Sequence, residues 1–277
     1  MCIRDRDKVI EEQAPQAASE EDVTSPEAIE LMQEAIELRN KGNIIAARDM
    51  LNHALDLQLS PRYRTMVKKQ LAILANIWLF SKEVLAADPL TGRYKVAPGD
   101  RLAIIAKQYK RPYEILMEIN GIHRPELLQA GQNLKIVQGP FNAVVYKSNF
   151  TMDLYLQDKY VKTYRVGLGA KGSDTPSGRW RVKSGGKFKN KPSWPDPATG
   201  RLIDGSDPEY PLGERYIAIE GLDEKIKDKS GFAIHGTKDP ESIGKRESLG
   251  CLRMFNEDVI EVYQMLRDGV SEVVVID

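Results

Sequence analysis

Residues 248–254 of this chain have the sequence SLGCLRM, and they follow the segment IHGT at residues 234–237, which places Cys251 sixteen positions after His235. A thiol reacts as its thiolate, and a nearby imidazole can take its proton and later return it to a leaving amine. A lone cysteine is more often an inert buried residue than a nucleophile. The neighbours of Cys251 must therefore carry the catalytic interpretation.

Those neighbours favour a nucleophile. His235 follows the apolar run 232–234, which is typical of a strand that holds a ring at a fixed place. Gly250 permits a tight turn that would leave backbone N–H groups free to stabilise an oxyanion. Arg253 would supply a positive charge for a substrate carboxylate, with bracing of the Cys251 loop as an equal alternative. Ser248 is interpreted as a hydroxyl that shapes this turn.

Short alternating strand patterns separated by turns fill the chain from Phe141 onward. One helix is indicated near the end, where Asn256 is a candidate cap and Gly269 a stop. This composition predicts a mainly-β sandwich or open barrel with a late helix, over residues 141–277.

The segment 26–87 has apolar residues at helical spacings, interrupted at Gly42. Within it, the piece from Gly42 to Leu55 resembles the second half of a tetratricopeptide-type repeat, and a plain helical hairpin is an equal alternative. Residues 1–25 are expected to form a disordered tail. Residues 1–6, MCIRDR, resemble a translated sequencing adaptor, in which case Cys2 is foreign and Cys251 is the one native thiol.

A strand–helix–helix–strand order is indicated for residues 93–138, with the motif YKVAPGDRLAIIA at residues 94–106 and GQNLKI at residues 131–136. This segment resembles the LysM module, which implies binding of glycans that contain N-acetylglucosamine. The resemblance assigns the shallow sugar groove to two loops, and the residues carried over are Gly99, Asp100, Arg101, Leu102, Asn120, Gly121 and Ile122.

The His and Cys segments, together with TPSG at residues 175–178 and PLG at residues 211–213, resemble the signature of the YkuD-type L,D-transpeptidases. The resemblance implies that Cys251 is the nucleophile and His235 the base, with the Gly236 carbonyl orienting the imidazole. It implies attack on a peptidoglycan tetrapeptide at its third residue, release of D-Ala, a thioester, and a 3→3 crosslink when an amine resolves that thioester.

Further site residues follow from the same resemblance. Backbone N–H groups near Gly250 and Cys251 would form the oxyanion hole, and Ser248 and Arg253 would shape the site. Thr237 and Trp194 are assigned to substrate contact, although ordinary packing under a long loop is the alternative for Trp194. Leu249 departs from several members, which carry His or Lys there, so no side-chain contribution to the oxyanion is expected from this position.

Composition limits the partners. Lys plus Arg and Asp plus Glu both total 40, so a nucleic acid is not expected as a partner. The strongest apolar run, residues 71–80, is too short for a membrane span and indicates a buried helix. We expect peptidoglycan as the partner, an extracytoplasmic location, and neither a cofactor nor a metal. Two alternatives remain: an L,D-carboxypeptidase that uses water as acceptor, and a non-catalytic wall-binding scaffold.

Overall fold

The computed structural model describes residues 23–189, 193–196 and 199–277. A helical segment, a small βααβ module and a mainly-β domain with a late helix follow one another along the chain. This order confirms the fold class that the sequence predicted. Most of the expected N-terminal tail lies outside the described residues.

Three helices build the first part: α1 (Pro26–Asn40), α2 (Ile44–Asp56) and α3 (Pro61–Trp78). Ser25 caps α1, because its hydroxyl accepts a hydrogen bond from the Ala28 N–H at 3.2 Å. Gly42, with φ +80°, makes the turn between α1 and α2. The predicted apolar run 71–80 falls mainly within α3, where Leu71, Leu74 and Trp78 are fully buried.

The second part has β1 (Thr91–Lys95), α4 (Leu102–Gln108), α5 (Tyr113–Asn120) and β2 (Asn133–Val137), and the two strands pair antiparallel. Its small core includes Val96, Leu102 and Ile105. Arg101 holds the N-cap position of α4, and Asp100 accepts a hydrogen bond from the Ala97 N–H at 2.7 Å. The carboxylate therefore closes the β1–α4 loop.

The third part begins with β3 (Phe141–Tyr146), β4 (Thr151–Leu156), β5 (Lys159–Arg165), β6 (Leu168–Gly169) and β7 (Gly178–Phe188). It continues with β8 (Trp194–Pro195), β9 (Leu202–Ile203), β10 (Tyr216–Gly221), β11 (Ala233–His235), β12 (Arg246–Ser248) and β13 (Leu252–Arg253). It closes with α6 (Asn256–Met265) and β14 (Glu272–Ile276). Eight strands form one sheet in the order β13-β11-β10-β7-β14-β3-β4-β5.

This strand order brings distant parts of the chain together. The last strand, β14, lies between β7 and β3 and runs parallel to β3. At one end of the sheet β11 and β13 are parallel neighbours, with Ile234 opposite Leu252 and His235 opposite Arg253. The two motifs therefore meet at one end of the sheet.

The helical segment and the sheet share one hydrophobic core. Helix α3 packs against the edge strand β5, and the Asn52 side chain on α2 accepts a hydrogen bond from the Tyr160 N–H of that strand at 2.8 Å. Covering an edge strand in this way prevents it from pairing with other chains. None of the helices among the described residues is both long and apolar enough to cross a bilayer.

Candidate active site

His235 ends β11 and is buried, with 5% of its surface exposed. Its Nδ1 lies 2.6 Å from the carbonyl oxygen of Gly236, which can only accept. Nδ1 therefore carries the proton and Nε2 has the free lone pair. This is the contact that the family resemblance implied for a catalytic base.

Burial also sets the charge of this ring. It lowers the pKa of His235 to about 4, and the nearby Arg253 charge acts in the same direction, while the bond to Gly236 opposes both. The imidazole is therefore neutral at neutral pH. A neutral ring with a free Nε2 can accept a proton.

Cys251 lies in the turn between β12 and β13 and is partly buried. Its thiol donates to the carbonyl oxygen of Gly231 at 3.4 Å, and burial raises its pKa. Gly250 has φ +113°, and a Cβ there would lie 2.8 Å from the Phe232 ring. The turn thus requires glycine immediately before the thiol, both for its backbone conformation and for space.

Ser248 and Thr175 fix the conformation of this turn. The Ser248 hydroxyl donates to the Cys251 carbonyl oxygen at 2.7 Å and accepts from the Gly250 N–H at 3.1 Å. The buried Thr175 hydroxyl donates to the Gly250 carbonyl oxygen at 2.9 Å and accepts from the Gly169 N–H at 3.0 Å. Sequence reasoning noted Thr175 within a motif but gave it no role in holding the Cys251 loop.

These bonds correct one prediction. The Gly250 N–H was expected to help form the oxyanion hole, but the Ser248 hydroxyl already occupies it. A donor that is bonded within its own turn is not free to bind an oxyanion. Gly250 therefore shapes the turn, and the N–H of Cys251 stays the predicted backbone donor to the oxyanion.

Arg253 lies beside His235 in the paired strands and is partly buried. Within the part of the chain that the structure describes, its guanidinium has no hydrogen bond or ion pair, so nothing there shows it bracing the Cys251 loop. A side chain bonded to that loop would be expected if bracing were its role. The arrangement favours an unoccupied cation beside the thiol that can take a carboxylate.

Aromatic rings line the other side of His235. Tyr216 on β10 stacks on the imidazole, with ring centres 6.3 Å apart and planes at 14°. The centre of the Phe188 ring lies 5.9 Å from the centre of the Tyr216 ring. Burial raises the pKa of Tyr216 to about 12, so its phenol is neutral. Sequence reasoning missed this ring, because nothing in its local sequence distinguishes it from a core tyrosine.

Two family profiles match the sequence of this chain. The profile of the L,D-transpeptidase catalytic domain, YkuD, covers residues 140–276, and that of the LysM domain covers residues 94–137. The chain carries a LysM domain and a catalytic domain of the YkuD L,D-transpeptidase family. Cys251, His235 and Gly236 all lie within the YkuD match.

Individual relatives share about a third of their residues with this chain, or fewer, over the aligned part. The YkuD protein of Bacillus licheniformis, named as an L,D-transpeptidase, is 28% identical over 183 residues, 64% of this chain and 94% of that protein. YqjB of Bacillus subtilis, of the same class by name, is 33% identical over 128 residues, 46% of this chain and 66% of the relative. A crystal structure of an L,D-transpeptidase from Mycobacterium tuberculosis aligns with 54% of this chain and 64% of its own, at 17% identity and TM-score 0.38.

The two predicted substrate-contact residues of the YkuD domain lie in different settings. Thr237 is 3% exposed, and its hydroxyl accepts from the Asp239 N–H at 3.0 Å, so its contact with substrate stays a prediction. Trp194 lies in a two-stranded hairpin, β8 with β9, and is partly buried. No contact between Trp194 and the thiol is seen among the described residues.

The LysM groove residues divide into core and surface. The side chains of Leu102 and Ile122 belong to the core, which contradicts a side-chain role in sugar binding. Asn120 holds α5 to β2, since its amide bonds both the N–H and the carbonyl oxygen of Lys135. Gly99, Arg101 and Gly121 are exposed, and Asp100 is bonded within its loop. The exposed positions are the ones available to a glycan.

Proposed function

We propose that this protein is a cysteine-dependent L,D-transpeptidase of the bacterial cell wall. The observation that carries the proposal is the pair at the β11–β13 end of the sheet. A neutral His235, oriented by the Gly236 carbonyl, lies next to the strand that follows Cys251. The YkuD family match supplies the substrate class.

The chemistry begins with the thiol. Cys251 Sγ attacks the carbonyl carbon of the third residue of a tetrapeptide stem, and His235 Nε2 takes the thiol proton. The tetrahedral intermediate collapses when the C–N bond to D-Ala breaks and the imidazolium returns its proton to the leaving amine. A thioester on Cys251 and free D-Ala are the products.

Two groups stabilise the charges that develop. The N–H of Cys251 serves the oxyanion, since the Gly250 N–H is already bonded to the Ser248 hydroxyl. Arg253, which has no partner among the described side chains, pairs with a carboxylate of the stem peptide.

An amine of a neighbouring stem resolves the thioester and gives the 3→3 crosslink. The amine attacks the thioester carbon, loses its proton to His235, and the thiol of Cys251 is regenerated. Water in place of the amine gives a tripeptide, which is the carboxypeptidase outcome. The LysM domain holds the glycan strand and raises the local concentration of stems, so we propose an extracytoplasmic site of action.

Product analysis tests this proposal. The purified protein is incubated with a disaccharide-tetrapeptide beside Cys251→Ala, and the products are followed by mass spectrometry. A dimer that has lost one D-Ala supports transpeptidation, and a tripeptide alone supports carboxypeptidation. If the wild-type protein gives neither product, the catalytic proposal fails and the non-catalytic scaffold becomes the favoured alternative.

A further inference from the structure

The side chain of Asn256 lies at the first turn of α6 but does not cap it, because Phe255 holds the N-cap position. Its Oδ1 accepts from the Glu214 N–H at 3.0 Å, and its Nδ2 donates to the carbonyl oxygen of Thr237 at 3.0 Å. The two partners fix which end of the amide is oxygen. Asn256 therefore joins the loop before β10 to the loop after β11.

Two glycines let these loops approach each other closely. Gly213 has φ +62°, and a Cβ on it would lie 2.2 Å from Asn256 Oδ1 and 2.5 Å from the carbonyl carbon of Gly236. A Cβ on Gly236 would also lie 2.2 Å from Asn256 Oδ1. The amide thus fills a space whose other walls are bare backbone, and any larger side chain on either glycine would separate the loops.

The clamped segment contains the orienting group of the base. The carbonyl of Gly236 accepts from His235 Nδ1, and the N–H of Gly236 donates to the Arg215 carbonyl oxygen at 3.2 Å. Asn256 Nδ2 donates to the carbonyl oxygen of the following residue, Thr237. The position of the Gly236 peptide is therefore determined on one side by β10 and on the other by Asn256.

We propose that Asn256 is a positioning residue that fixes the Gly236 carbonyl and, through it, the tautomer and orientation of the His235 imidazole. The role of that imidazole as a base rests on the function proposed above. The other groups at the ring are Tyr216 on β10, which stacks on it, and the charge of Arg253 on β13. Neither group accepts a hydrogen bond from Nδ1, so the Gly236 carbonyl alone selects the tautomer.

The same amide links a second region to the base. Glu214 ends the long excursion between β7 and β10 that carries the Trp194 hairpin. The Asn256 amide therefore joins the end of that excursion, at Glu214, to the residue that follows Gly236. We expect substitutions of Asn256 to loosen the ring without altering any group that touches substrate.

The test compares Asn256→Ala and Asn256→Asp with the unsubstituted protein. The ¹⁵N shifts of the His235 ring report its tautomer without substrate, and His235→Gln assigns the signal among the three histidines. The rate of Cys251 acylation by a carbapenem is measured in parallel. We expect loss of the single Nδ1–H tautomer and acylation slower by about ten- to a hundredfold in Asn256→Ala.

Asn142→Ala is the matched control, because its side chain also accepts from a backbone N–H, that of Glu272, at 2.9 Å in the same domain. It should lower Tm and leave the tautomer and the acylation rate unchanged. Asn256→Asp keeps the acceptor for Glu214 and loses the donor to Thr237, so it should fold and still disturb the tautomer.

An unchanged tautomer in a folded Asn256→Asp protein, with acylation as fast as in Asn142→Ala, would overturn the proposal. The ring signal needs no turnover, so it judges the positioning role even if the wild-type protein gives no crosslinked product. Failure of the positioning role and failure of the proposed function are therefore distinguishable.

Discussion

At the scale of single residues, the thiol of Cys251 and the imidazole of His235 are both neutral at rest. Burial lowers the pKa of His235 and raises that of Cys251, so neither group is charged at neutral pH. A preformed thiolate–imidazolium pair would have the opposite shifts. Proton transfer from Cys251 to His235 is therefore expected during attack on the substrate and not before it.

Alkylation of Cys251 tests this resting state. The rate of reaction with iodoacetamide should rise steadily with pH above neutral, because the thiolate fraction grows only there. Denatured protein provides the reference for an unperturbed thiol. A plateau of high reactivity between pH 5 and 8 would indicate a stable ion pair and contradict the neutral one.

His235 also makes stability depend on pH. Its folded pKa of about 4 lies below the ordinary value of 6.5, so the unfolded chain binds more protons between these values. The free energy of unfolding should therefore fall as pH drops from 6.5 to 4, by up to about 3 kcal/mol from this group.

The variant His235→Gln should lack this component, while acidic groups titrate equally in both proteins. The measurement is the difference between their urea-unfolding free energies at pH 7 and pH 4.5. An identical pH dependence in the two proteins would show that the buried ring is not kept neutral by folding.

Thr175 holds the turn that presents the thiol. The variant Thr175→Val keeps the shape and leaves the Gly250 carbonyl and Gly169 N–H without their partner. We expect a loss of about 1–3 kcal/mol in unfolding free energy and slower acylation of Cys251. Ser177→Ala, which removes an exposed hydroxyl two residues away, should change neither quantity, and equal effects of both variants would refute this role.

The sequence was sufficient to predict the contact between His235 and the Gly236 carbonyl, because both residues lie within one short motif. It was insufficient to predict the hydrogen bonds of Thr175 and Asn256. Thr175 bonds Gly250, 75 positions away, and Asn256 bonds Thr237, 19 positions away. The Gly250 N–H was predicted wrongly because the hydroxyl of Ser248, only two residues earlier, folds back onto it. Hydrogen bonds that close a loop on itself leave little trace in composition or spacing.

At the scale of elements, helix α3 is fastened to the sheet through a buried ion pair. Lys68 Nζ lies 2.5 Å from the carboxylate of Asp153, which is fully buried on β4 and also accepts from Thr163. The ammonium lies over the Tyr146 ring as well. Removal of the lysine leaves an uncompensated charge in the core.

The variant Lys68→Met should therefore lower the free energy of unfolding by about 3–5 kcal/mol. Its exposed neighbour on the same helix provides the control, Lys69→Met, for which a change within about 0.5 kcal/mol is expected. Denaturant unfolding followed by tryptophan fluorescence measures both. Equal, small effects would mean that α3 is only loosely attached.

Helices and many strands were predictable from periodicity, but the strand order was not. The parallel neighbours β3 with β14, and β11 with β13, join segments whose local patterns carry no pairing information. Asn256 was predicted as the cap of α6 for its residue type alone, whereas its tertiary partners take both of its polar atoms.

At the scale of the whole molecule, the LysM domain is attached to its neighbours by specific bonds. Lys135 Nζ donates to the carbonyl oxygens of Trp78 and Ser81 at 2.6 and 3.0 Å, and Arg267 donates to the carbonyl oxygen of Arg111 at 3.2 Å. Deleting residues 88–139 would expose these buried contacts. Substitutions on the groove are therefore a cleaner test of wall targeting than the deletion.

The exposed Arg101 lies in the loop assigned to the glycan. Arg101→Asp should weaken sedimentation with peptidoglycan sacculi and leave turnover of soluble tetrapeptide unchanged. Arg93→Asp makes the same charge change on an exposed position of β1 and should alter neither. Parallel losses of binding and turnover would argue against a division of labour between the two domains.

Trapping of the acyl-enzyme on Cys251 tests the central claim most directly. The protein is mixed with disaccharide-tetrapeptide, quenched in acid within the first turnover and mapped by mass spectrometry. We predict a hydroxylamine-sensitive tripeptide adduct on Cys251, with one D-Ala released for each adduct, and no adduct in His235→Ala. Free D-Ala formed without any modification of Cys251 would contradict the account.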